Sequence, residues 1–160
     1  MFILVFFLLS LIVAGIALAV SKRLRGSRRG IVSTILLSLL VIQVGLMGLL
    51  TAYAHVFRPI QTSASIGWQT SPYEYEVGMA DLTVGVLGVL CLFFRDNFWL
   101  ATAVANAVWM WGDAIGHVRQ MVDYNNHAAN NAGLFLYAEF LTPLIILLLV
   151  AKHRQLSARA

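Results

Sequence analysis

Asp113 and His117 stand four residues apart inside an apolar stretch, so on a helix their side chains share one face. A carboxylate and an imidazole one turn apart can hold a metal ion, share a proton or pair as ions. Asp81 and Glu139 also interrupt apolar segments, and an acid at the centre of a membrane helix costs roughly 2.5–3.5 kcal/mol on insertion scales. Such residues persist because they have a partner or a task. His55 and Glu76 sit at the ends of neighbouring apolar segments. Asp113, His117, Glu139, Asp81, Glu76 and His55 are therefore the candidate metal donors. Carboxylate and imidazole together suit copper, iron, zinc or manganese without selecting among them.

These residues meet only if the elements carrying them do. The chain has 160 residues, of which 60% are hydrophobic and 11% charged, a composition that requires a polytopic membrane protein rather than a soluble domain. A helical span needs roughly 20 apolar residues. Five segments meet or approach that length, at about 1–20, 31–55, 77–94, 98–118 and 133–151. The expected fold is an all-α integral membrane bundle of five transmembrane helices forming a single domain. With a rise of about 1.5 Å per residue, Asp81, Asp113 and Glu139 fall at similar depths below one end of their helices, and His55, Glu76 and His117 lie near that end. Four helices thus supply ionisable groups to one layer.

Charge orients the bundle. Every Lys and Arg except Arg58 and Arg119 falls between the first two spans, in the Arg95-Asp96-Asn97 hairpin or in the carboxyl-terminal tail, and five spans place all three on one side. That side is expected to be cytoplasmic, with the amino terminus outside and the polar layer facing outward. The net charge of +4 then reflects topology and anionic lipid, and nucleic acid is not an expected partner. Ala17-Leu18-Ala19 resembles a signal cleavage site, but no basic residue precedes the apolar run and a basic cluster follows it, so the first span reads as a retained anchor.

Gly78, Asp81, Gly85 and Gly88 lie near one face of the third span, with Gly45 and Gly48 on the second, which predicts close helix approach and turns Asp81 into the bundle. Trp99 suits an interfacial anchor, and His153 an interfacial basic tail. Trp109 and Trp111 lie deeper, and Pro143 can kink the last helix and free a carbonyl. Cys91 reads as a small buried hydrophobe. His127, in a polar loop from about 119 to 132, can cap the site or be solvated.

Three functional classes fit. One is an outward-facing metal site, redox-active or metal-handling; the alternative to metal at these residues is a structural hydrogen-bonded network. The second is an accessory or scaffold subunit, contacting other membrane subunits or a second copy through its glycine faces and outer loop. The third is a proton or ion transporter, for which only Gln43, Asn106 and Thr102 extend polarity inward. The phosphate-loop, dinucleotide and Cys-x-x-C motifs of soluble enzymes do not occur.

The segments from Ser71-Pro72-Tyr73-Glu74-Tyr75-Glu76 to Val77-Gly78, from Gly112-Asp113 to Gly116-His117, and Asn131-Ala132-Gly133 resemble a group of small bacterial multi-pass membrane proteins of uncharacterised function, over about the last 90 residues. That resemblance implies a bacterial plasma (inner) membrane location and no particular activity. Asp113 and His117 are also similar to the Asp-x-x-x-His pair of the copper-binding membrane subunit of methane and ammonia monooxygenases. His127 follows His117 too closely to match that family's second histidine.

Overall fold

A computed structural model describes residues 2–159, which form helices and connecting turns without strands. Helix α1 (Phe2–Val20) has no charged residue and buries only Ile3, Ser10 and Ala14, one narrow stripe on an otherwise exposed apolar rod. That distribution fits a helix solvated by lipid. Ser21 and Ser27 accept backbone N–H groups at the starts of α2 (Lys22–Arg25) and α3 (Arg28–Ser38), the usual service of a hydroxyl at an N-cap. A π-helical segment (Leu39–Leu46) joins α3 to α4 (Met47–Phe57), giving one continuous 30-residue rod, Arg28–Phe57. Pro59 then starts α5 (Pro59–Ser65), where its missing N–H costs nothing.

Helix α6 (Tyr73–Leu90) ends short of Phe94, and α7 (Asn97–Tyr124) runs past Val118 before Asn125 stops it in the left-handed conformation. Gly133, at φ 67°, opens α8 (Leu134–Ser157). Among the described residues, three helices are long and apolar enough to cross a membrane: Phe2–Val20, Arg28–Phe57 and Leu134–Ser157. Glu74, Glu76 and Asp81 dilute α6, while Asp113, Arg119 and Asp123 dilute α7.

Around the polar residues the helices pack as two pairs, joined at the other end where α3 lies on α8. α6 lies on α4 and the π segment, α7 lies on α8, and α6 and α7 touch only over a short stretch. The first pair is drawn together by glycine. A Cβ on Gly48 would stand 2.8 Å from the Gly85 Cα, and one on Gly85 would stand 2.7 Å from the Leu49 nitrogen. Gly78, Asp81, Gly85 and Gly88 are the buried residues of α6, as the glycine spacing predicts. These glycines are consumed within the chain, which withdraws that face from other subunits.

The end carrying the basic loop is sealed by Leu36, Leu39, Leu40, Val44, Cys91, Trp99, Ala103, Ile146 and Val150. Two expectations are corrected here. Trp99 is not an interfacial anchor: it is 1% exposed and donates its indole N–H to the Cys91 carbonyl at 3.0 Å. His153 is not a solvated tail residue: it is buried with its ring 5.1 Å from that of Trp99 and its Nδ1 2.9 Å from the Ser33 hydroxyl. Both follow from α8 continuing to Ser157, which carries His153 past α3 and the start of α7. Cys91 is buried as expected.

Candidate metal centre

Between the two helix pairs lies a cavity of about 330 Å³. Phe2 and Ile3 of α1, Met47 and Val84 give it apolar walls; His55, Glu74, Asp81, Asn106, Asp113, His117 and Glu139 make its polar lining. Five of the six candidate donors therefore line one space. The sixth, Glu76, is exposed and outside it, and Glu74 takes its place. Helical phase explains the exchange. Glu74 precedes Asp81 by seven residues, two turns on the same face, whereas Glu76 lies about 140° away around the helix. His127 is exposed and bonded to Asn125 at 3.1 Å, and it is not part of the lining.

Asp113, His117 and Glu139 form the tightest cluster, with one donor atom of each within 4.8 Å of the others. His117 Nε2 lies 3.6 Å from Glu139 Oε1 and 3.8 Å from Asp113 Oδ2. Both distances exceed a hydrogen bond. They approach the separation of about 3.4 Å between two ligands held at tetrahedral angles around an ion at about 2.1 Å. His117 is 2% exposed and Glu139 1%, while the Asp113 side chain is 42% exposed. One Glu139 oxygen, Oε2, is buried without a hydrogen-bond partner.

The imidazole is fixed from behind by Asn131, which sequence spacing did not single out. Asn131 is fully buried. Its amide nitrogen donates to the Asn126 carbonyl at 2.9 Å and the His117 carbonyl at 3.3 Å, which commits its oxygen to the opposite side. That oxygen accepts the Trp68 indole N–H at 2.7 Å and meets His117 Nδ1 at 2.8 Å. A carbonyl oxygen cannot donate, so His117 Nδ1 carries a proton, and Nε2 is the ring nitrogen turned to the carboxylates, with a lone pair in the neutral ring. Metal-binding histidines are generally held in this way. The ring is also wedged between Trp68, at 5.3 Å between centroids, and Phe135, edge-on at 5.6 Å.

The loops that supply these groups are tied to each other. Asn126 donates to the Ile66 carbonyl at 2.8 Å, and Gly67 adopts φ 72° against it, where a Cβ would lie 2.8 Å from the Asn126 oxygen. Pro143 provides no N–H to the turn of α8 that contains Glu139 and Phe140. Trp111 donates to the Phe140 carbonyl at 3.1 Å, so one deep tryptophan secures the backbone beside Glu139. The other, Trp109, donates to Asp81 Oδ1 at 2.8 Å.

Two carboxylates, one neutral imidazole and a divalent cation sum to zero charge. Without a cation, ionising both carboxyl groups at this spacing costs mutual repulsion, and the buried Glu139 loses hydration as well. Three protein ligands leave coordination positions open towards the cavity, as in sites that bind water, substrate or cargo rather than closed structural centres.

No curated protein and no solved structure matches the chain. Residues 1–159 match the family described as Family of unknown function (DUF6790), so the match spans the chain rather than its last 90 residues. On that match, the chain belongs to this family of unknown function.

Proposed function

We infer that this is a multi-pass membrane protein whose Asp113–His117–Glu139 cluster binds a divalent transition-metal ion at a cavity open to the extracytoplasmic side. The observation that carries the reading is His117 Nε2, left free by the Asn131 contact at Nδ1 and held close to ligand-to-ligand distance from two carboxylates. Nitrogen and oxygen donors without thiolate suit zinc, iron, manganese or copper(II), and the open positions suit redox chemistry or metal handling. The apolar walls of the cavity admit a ligand with a hydrocarbon part beside the ion.

Five membrane crossings complete this reading. The three apolar helices cross with α6 and α7 packed among them, and the basic residues of the first loop and the tail hold those segments in the cytoplasm. The resemblance to small bacterial membrane proteins supports a plasma-membrane location. Transport through the bundle is a weaker fit, because the apolar cluster around Leu36, Leu39, Leu40 and Ile146 lies beyond Asn106. A scaffold role loses the glycine faces as contact surfaces.

Elemental analysis of the purified full chain tests the proposal. Stoichiometric transition metal, lost in His117→Ala and Asp113→Ala variants that remain monodisperse, is the expected result. Metal-free protein after reconstitution with zinc, iron, manganese and copper salts removes the proposal.

A further inference from the structure

The cavity contains a second imidazole prepared in the same way as the first. His55, at the end of α4, places Nδ1 2.7 Å from Glu74 Oε2. Glu74 is itself held by the Ser63 hydroxyl, which donates to its other oxygen. A carboxylate so placed accepts, so His55 Nδ1 carries a proton, and in the neutral ring the lone pair is on Nε2. That lone pair faces Asp81 Oδ2 at 4.0 Å, too far for a hydrogen bond. The remaining Asp81 oxygen is occupied by the Trp109 indole N–H at 2.8 Å. On each residue one polar atom is tied off, and the two free atoms face each other inside the cavity.

We propose that His55 Nε2 and Asp81 Oδ2 form a second cation position, so that the cavity takes a pair of divalent transition-metal ions. The proposal rests on the metal reading of the Asp113–His117–Glu139 cluster, which it extends from one ion to two. Charge supports it. Glu74, Asp81, Asp113 and Glu139 line one cavity in which Arg58 is the only Lys or Arg among the described residues, and two divalent ions balance these four carboxyl groups once they are ionised. Geometry supports it as well. A separation of 4.0 Å lies within a small side-chain rotation of the about 3.4 Å expected for two ligands of one tetrahedral ion. Glu74 serves as a positioning residue, fixing the His55 tautomer as Asn131 fixes that of His117.

Manganese(II) is the probe. The full chain in detergent is loaded with Mn²⁺ and passed through gel filtration; bound ions per chain are then counted by elemental analysis, and spin coupling is read by electron paramagnetic resonance. Two ions per chain with a coupled spectrum are expected. His55→Gln and Asp81→Asn should each leave one ion and the spectrum of an isolated Mn²⁺. Using two variants on different helices keeps the test decisive if one of them fails to fold. One ion in the unaltered chain, retained in both variants but lost in His117→Gln, overturns the second position and leaves the first standing. No bound ion in any sample overturns both positions.

Discussion

Asn131 meets His117 Nδ1 at 2.8 Å and thereby decides which nitrogen of that ring is available to the cavity. The bond couples a loop residue to the chemistry of a buried helix face. Trp68, from the loop between α5 and α6, donates to the same oxygen. Both loops are thus part of the site, although neither supplies a ligand.

Asn131→Ala should weaken metal binding about 10- to 100-fold while leaving every ligand in place, the usual scale for loss of an outer-shell partner. Asn131→Asp, which still accepts from Nδ1–H but loses the donations to the Asn126 and His117 carbonyls, should recover only part of the affinity. Competition with a chelator of known affinity measures both. Equal affinity in the alanine variant would remove Asn131 from the site.

The two glutamates at the start of α6 should separate cleanly. Glu74→Gln should lower occupancy of the His55 position, because the anion facing Nδ1–H is replaced by a neutral amide. Glu76→Gln should leave metal content unchanged, since Glu76 is exposed outside the cavity. Parallel elemental analyses of the two variants provide the comparison.

Glu139→Gln should lose metal yet retain or gain thermal stability in metal-free buffer. It replaces a buried carboxyl that has one unpartnered oxygen by an amide that cannot ionise. In the unaltered chain, an ion at 100 times its dissociation constant should stabilise by about 2.7 kcal/mol, and that increment should vanish in the variant. Thermal unfolding in detergent with and without metal gives both readings.

Gly85→Val should damage the fold rather than the site alone. Even the first carbon of the new side chain would stand 2.7 Å from the Leu49 nitrogen, with backbone on both sides. A cost at or above the about 1–3 kcal/mol of an overpacked interior is expected, seen as a lower unfolding temperature and a broadened gel-filtration profile. Gly112→Ala, where a Cβ meets nothing within 4 Å, is the matched control.

Much of this arrangement is legible in the sequence because it depends on depth and spacing. Depth along each helix put Asp81, Asp113, His117 and Glu139 in one layer, and the spacing of Gly78, Gly85 and Gly88 turned Asp81 inward. Rotation about the helix axis was harder to use. The choice of Glu74 over Glu76 was encoded in the seven-residue step to Asp81, but two acids at a helix start look alike until that phase is applied. Asn131 carried no such signal, because its role arises from a loop closing over a helix end, and neither spacing nor composition describes that. Trp99 and His153 were misplaced because hydropathy ends a span where charge begins, whereas α8 continues helically through Lys152 and His153 to Ser157.

The division into helix pairs has a mechanical consequence. His55, Glu74 and Asp81 belong wholly to the α4–α6 body, and Asp113, His117 and Glu139 wholly to the α7–α8 body. Each trio keeps its internal geometry if the bodies slide, and only the gap between the trios changes. The Trp109–Asp81 hydrogen bond is one stitch across that seam. Whatever fills the gap acts as a clasp, so the width of the mouth and the contents of the chamber are set together.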